Sequence, residues 1–185
     1  MPLHDDAIAV LGAWEPLQLD PRDRQAQAVL RDSYLAFLHQ QPDGMWRECR
    51  VGHLTASALV LRESTNQALL TLHPIVGRWL QLGGHCEPTD ATLVEAAARE
   101  AREESGIAGV SIEPVPVRLD RHEVRCAGLP TWHLDVQYLA LVPDDAVARI
   151  SAESDDLQWW SVDEPPASVD ASVQALWRDA VRLRA

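Results

Sequence analysis

The sequence predicts an α/β fold in which a mixed β-sheet lies between helical layers, preceded by a helical arm. Three observations predict it. Short apolar runs follow one another beyond Gly52, one long helical segment interrupts them near Leu93, and the chain closes on a second amphipathic segment. At 185 residues, 46% of them hydrophobic, the chain suffices for one compact domain with a modest extension.

From Asp5 to Gln40 the spacing is helical, with Ile8, Leu11 and Trp14 first and then Ala26, Leu30, Tyr34, Phe37 and Leu38 after Pro21. Pro16, Pro21 and Pro42 punctuate this stretch, so residues 1–45 form a helical arm and residues 46–185 the main domain. The arm is read as a packing element or as the contact of a homodimer. Strands are expected at His53 to Leu61, Ala68 to Leu72, Arg78 to Leu82, Ser111 to Val117, His133 to Val142 and Leu157 to Val162. The residues between Arg62 and Gln67 read as a hairpin connection. Helices are expected at Leu93 to Ser105 and at Ser168 to Leu183, the latter striped by Val173, Leu176, Trp177 and Val181.

Composition excludes several chemistries. Lys+Arg is 16 against Asp+Glu 28, a net charge of -12, which argues against nucleic acid or an anionic membrane as a partner held by bulk charge. Every basic residue is Arg, so neither a Walker-type phosphate lysine nor a Schiff-base lysine is available. The three cysteines, Cys49, Cys86 and Cys126, are far apart and suggest neither a disulfide framework nor a zinc knuckle. The N-terminal stretch has acids where a secretory leader is basic, and no apolar run reaches about 18 residues. A soluble cytoplasmic protein is expected.

The chemistry concentrates between Gly83 and Ile107. Thr92 and Glu95 have the spacing of a capping box, and Gly106 stands where a C′ glycine ends a helix. At about 100° per residue, Glu100, Glu103 and Glu104 fall in one sector, beside an apolar stripe of Leu93, Ala97 and Ala101. Acids in a last turn oppose the helix dipole by about 0.3–1 kcal/mol each. Two unit charges 4 Å apart repel by about 4 kcal/mol at an effective dielectric of 20. A hard divalent cation reverses both effects, and Arg99, one turn before Glu103, can hold a carboxylate in place. A solvated charged face is the plain alternative.

This segment resembles the Nudix box, G-x5-E-x7-R-E-x2-E-E-x-G, with Gly84, Arg99, Glu100, Glu103, Glu104 and Gly106 matching. It departs from the pattern in two ways: Asp90 stands for the box glutamate, and the interval from it to Arg99 is one residue too long. The cap at Thr92 places the insertion near Ala91, which leaves the register of Arg99 to Glu104 intact and makes Asp90 a loop-stabilising residue rather than a metal ligand. Leu82 replaces the proline that usually precedes the two glycines.

The resemblance implies a Nudix-like α/β/α sandwich that hydrolyses a nucleoside diphosphate linked to another moiety, with Mg²⁺ or Mn²⁺. It implies that Glu100, Glu103 and Glu104, with the Gly83 carbonyl, hold metal, and that Arg99 orients Glu100 or Glu103. Cations would neutralise the pyrophosphate and polarise the attacked phosphorus. The general base is a box glutamate or Glu153, in the loop before Trp159 and Trp160. His133 and Asp135 alternate with Trp132 and Leu134 and share a strand face. His133 reads as a phosphate contact or as a structural histidine, and Asp135 as a reader of base or ribose. His85, following the glycines, reads as lining the phosphate site. A small-molecule nucleotide is the expected partner, and a non-catalytic ligand-sensing module of the same fold is the alternative.

Overall fold

The computed structural model describes residues 2–126, 128–152 and 154–184. Two helices come first, α1 (Pro2–Ala13) and α2 (Pro21–Gln40). Strands β1 (Gly52–Arg62), β2 (Gln67–His73), β3 (Arg78–Leu80) and β4 (Leu82–His85) lead into α3 (Leu93–Ser105). Then come β5 (Ser111–Ile112), β6 (Arg118–Cys126), β7 (Leu129–Val142) and β8 (Asp156–Ser161), and the chain closes on α4 (Ala171–Arg184).

The eight strands among the described residues join one mixed sheet. Its spine is the parallel pair of β1 and β7, in register from Gly52 opposite Trp132 to Arg62 opposite Val142. Along its other edge β1 pairs antiparallel with β4 near His85 and with β2 near Ala68 and Leu69, so the sheet divides there. On the far side β7 carries β6 and β5, both antiparallel.

Side-chain alternation along β1 separates the two layers. Leu54, Ala56, Ala58 and Val60 enter one core with Leu3, Ala7 and Leu11 of α1, Tyr34 and Leu38 of α2, and Ala97 and Ala101 of α3. Leu59 and Leu61 enter another with Val173, Leu176, Trp177 and Ala180 of α4. The remaining residues of that second face, His53, Thr55 and Ser57, are polar, and His133, Asp135 and Gln137 continue them on β7. One sheet face is therefore apolar beneath α4 and polar toward β4.

The mixed sheet and helical layers match the sequence expectation, and the differences have local causes. Arg78 to Leu82 is two strands, split at Gln81. Ser111 to Val117 shortens to a two-residue strand followed by Pro114 and Pro116. The charged β6, absent from the sequence reading, exists because β7 pairs with it from Arg118 to Cys126. In the first half of α2 the buried residue is Gln27, while Ala26 is exposed. Gln27 donates to the Leu119 carbonyl at 2.9 Å and accepts from its N–H at 2.7 Å, which satisfies the buried amide. The arm is also tied down by Trp14, whose indole N–H donates to Pro116, and by Tyr34, whose hydroxyl donates to Asp120. None of the described helices is long and apolar enough to cross a membrane.

Candidate active site

Helix α3 is positioned by its ends. Thr92 is the N-cap and accepts from the Glu95 N–H at 3.1 Å, while Glu95 reaches back to the N–H of Ala91 rather than that of the cap itself. Asp6 of α1 accepts from the Leu93 N–H at 2.8 Å, so the arm also caps this helix. Gly106 ends it in the left-handed region at φ 66°. The stripe of Leu93, Ala97 and Ala101 is fully buried against the sheet, which turns Arg99, Glu100, Glu103 and Glu104 toward β4.

Arg99 organises the carboxylates. Its Nε donates to Asp90 Oδ1 at 3.1 Å and its Nη2 to Asp90 Oδ2 at 3.0 Å, a bidentate pair. The Nη1 donates to Glu100 and to Glu103, each at 2.9 Å, and Nη2 also donates to the His85 carbonyl at 2.8 Å. These bonds occupy the five donors of the guanidinium. Arg99 is therefore a clamp on the acids and the strand, with no donor left for a phosphate. Asp90, 7% exposed, further accepts from the Glu87 N–H and closes the loop that holds the extra residue.

The two glycines let the acids approach the strand. A Cβ on Gly84 would lie 2.9 Å from the Glu100 carboxylate, and one on Gly83 would lie 2.3 Å from the Ser57 Cβ. The Gly83 N–H donates to Glu104 at 3.0 Å. Glu100 and Glu104 are largely buried, whereas the Glu103 side chain is 58% exposed. Carboxylates of graded exposure beside a bare backbone form a hard-oxygen donor set, which fits a Mg²⁺ or Mn²⁺ ion.

Asp135 lies beneath this edge and is only 3% exposed. Its oxygens accept from Thr55 at 2.9 Å, Ser57 at 2.6 Å, Gln81 at 3.3 Å and Gln137 at 3.2 Å. Burial pushes its pKa up, against the pull of the Ser57 hydroxyl. Such a carboxylate joins β1, β7 and the β3–β4 junction and presents no free face to a base or ribose. A cavity of about 310 Å³ opens farther along the same polar face, lined by Gln27, Asp120, Arg121, Gln137 and Ser172 among others.

His85 and His133 come together with a third ring, His53, that the sequence reading did not single out. Ring centroids lie 5.0 Å apart for His53 and His85, 4.9 Å for His53 and His133, and 5.1 Å for His85 and His133. His122 extends the row on β6, 5.4 Å from His133, with Nδ1 2.7 Å from Asp120. Burial lowers the pKa of His85 to about 4 and that of His133 to about 3, with His53 adding to both, and burial likewise lowers that of His53. Burial thus disfavours the imidazolium form of all three rings. His53 is fully buried, and neither of its nitrogens makes a well-formed hydrogen bond, the Cys49 carbonyl being the one backbone group that acts on it. An unsatisfied buried polar group costs about 1–3 kcal/mol.

Glu153 lies outside the described residues. Its neighbours are anchored: Ser154 accepts from the Thr71 hydroxyl at 2.5 Å, and the Asp155 N–H donates to the Leu72 carbonyl. Cys86 is 5% exposed, and burial pushes its thiol up to about 12, which makes it a packing residue and no nucleophile. What the sequence reading lacked was His53, Ser57, Thr55 and Gln81. Their only signal is parity with neighbours on strands whose pairing local spacing does not encode.

Comparison with known proteins agrees with this fold. The fold resembles that of a Nudix-family hydrolase from Clostridium perfringens, at 23% identity and a TM-score of 0.55, over 71% of this chain and 97% of that one. It also resembles a C. elegans Ap4A hydrolase, at 19% identity and a TM-score of 0.56, over 70% and 96% of the two chains. A third likeness is the Nudix domain of Shewanella oneidensis NrtR, complexed with ADP ribose, at 22% identity and a TM-score of 0.56, over 74% and 90%. No curated protein matches the sequence. The model of the NUDIX domain matches residues 52–178, from the first residue of β1 into α4 and across the whole carboxylate site, and the chain belongs to the Nudix family.

Proposed function

We propose that this chain hydrolyses a pyrophosphate bond in a nucleoside diphosphate linked to another moiety, with Mg²⁺ or Mn²⁺ as cofactor. The observation that carries this reading is the Arg99 clamp, which draws Glu100 and Glu103 together against the glycine strand while Glu104 bonds Gly83. Glu100, Glu103, Glu104 and the Gly83 carbonyl would hold the metal. The bound cation would neutralise the pyrophosphate and polarise the attacked phosphorus. Arg99 and Asp90 keep the acids in place during turnover, and Gly83 and Gly84 let the substrate's phosphates approach the backbone. Asp135 acts by fixing Ser57 and Gln81 and does not touch the substrate. His85 meets the carboxylate site through its carbonyl, which accepts from Arg99, while its ring and that of His133 lie on the opposite sheet face.

A net charge of -12 is compatible with a polyanionic substrate when metal mediates the contact. The test is a Mg²⁺-dependent screen of nucleoside triphosphates, dinucleoside polyphosphates, ADP-ribose and nucleotide sugars, comparing wild type with Glu103→Gln. Turnover that depends on Mg²⁺ and collapses in the variant is expected. Equal activity in both proteins, or none with any substrate, overturns the reading, and tight binding without turnover would favour a sensing module.

A further inference from the structure

The histidine cluster is chemically distinct from the carboxylate site and lies on the other sheet face. Alternation on β1 sends Leu54 and Ala56 toward α3 and sends His53 and Thr55 away from it. On β7 His133 stands directly opposite His53 in the parallel register, and on β4 His85 stands opposite Thr55. Three adjacent strands thus deliver one imidazole each to the same point. The centroid separations of 5.0, 4.9 and 5.1 Å form a nearly equilateral triangle, and one nitrogen from each ring lies within 4.8 Å of the other two.

We propose that His53, His85 and His133 form a trihistidine site for a borderline transition-metal dication, zinc above all. Imidazole nitrogen is a preferred ligand for Zn²⁺, at about 2.0–2.1 Å, whereas Mg²⁺ takes oxygen ligands. Tetrahedral ligands at that length stand about 3.3–3.4 Å from one another, so small rotations of the three rings complete the set. The completely buried His53, whose nitrogens make no well-formed hydrogen bond and have only the Cys49 carbonyl nearby, independently marks a point at which a ligand would be satisfied. His85 and His133 are only partly buried, which leaves a path for the ion and a fourth position open to an oxygen donor.

Cobalt substitution tests the site. Full-length protein freed of metal by chelation is titrated with Co²⁺ and its visible absorption followed. A nitrogen-rich four- or five-coordinate site gives intense bands, and a six-coordinate carboxylate site gives weak ones. One saturable equivalent with intense bands is expected in wild type and in Glu103→Gln, displaced by Zn²⁺ and unaffected by excess Mg²⁺. The bands are lost in His85→Gln and His133→Gln, whose folding is checked by circular dichroism. Independently, the imidazole ¹⁵N resonances of these three histidines shift with one equivalent of Zn²⁺ in the wild-type protein and not with Mg²⁺. Absence of intense bands in wild type, their retention in both histidine variants, their loss in Glu103→Gln, or unmoved imidazole resonances overturns the proposal. Failure of the hydrolase reading leaves this result untouched, because the measurement needs no substrate.

Discussion

Arg99 grips Asp90 through two parallel bonds, Nε to Oδ1 at 3.1 Å and Nη2 to Oδ2 at 3.0 Å, across the loop that carries an extra residue relative to the family pattern. The pair closes that loop onto α3. It also fixes the plane of the guanidinium whose remaining donors hold Glu100, Glu103 and the His85 carbonyl.

Asp90→Asn should therefore act through the carboxylates and not only through stability. One oxygen of the bidentate pair becomes an amide that cannot accept, and the clamp loosens. Removing the support of metal ligands typically weakens metal affinity about 10- to 100-fold. A shift of that order in the Mg²⁺ concentration for half-maximal turnover is expected. An unchanged Mg²⁺ dependence with a lowered melting temperature would confine Asp90 to the loop.

Gly83→Ala should be destabilising. The added methyl meets the Ser57 Cβ at 2.3 Å, the Ser57 Cα at 2.4 Å and the Ala56 carbonyl at 2.8 Å, two of them backbone atoms that cannot swing aside. Overpacking of this kind costs about 1–3 kcal/mol. Urea denaturation should show the midpoint lowered accordingly, and a wild-type midpoint would mean that β4 can shift away from β1.

Two independent caps start α3, from Thr92 and from Asp6 of the arm. Thr92→Ala and Asp6→Ala should each cost about 1 kcal/mol by denaturant unfolding, and the double variant should be close to additive because different N–H groups are served. A neutral Asp6→Ala would show that the arm does not steady the box helix.

Cys86 should resist alkylation. With its thiol pushed up to about 12 by burial, thiolate at pH 8 is roughly a thousandfold scarcer than for an ordinary cysteine near 8.5. Iodoacetamide labelling followed by peptide mass spectrometry should find Cys86 protected in the native protein and reactive in urea. Fast native labelling would mean that the loop from Glu87 to Asp90 opens readily.

Glu153→Gln separates the two candidate general bases. If Glu153 takes the proton from the attacking water, turnover falls by about 100- to 10,000-fold and the acidic limb of the pH–rate profile flattens. Wild-type rates and an unchanged profile would assign the role to a box glutamate.

The box helix was legible in the sequence down to its cap at Thr92, its terminating Gly106 and its stripe of Leu93, Ala97 and Ala101. Every one of those signals lies within a few residues of the hydrogen bond or contact it specifies. Strand β6 was not legible, since charged residues from Arg118 to Arg125 become a strand only when β7 supplies their partners. Gln27 took a core position for the same kind of reason, a bond to Leu119 far along the chain.

Sequence alone thus determined the family, the register of Arg99 to Glu104 and the absence of lysine chemistry, because these depend on local spacing and composition. Only the tertiary structure decided that Asp135 is buried as a tie between strands, that Arg99 spends its donors on protein groups, and that His53 joins His85 and His133. Those outcomes depend on strand register between segments remote in sequence, and register is set by the packing of the whole sheet against its helices.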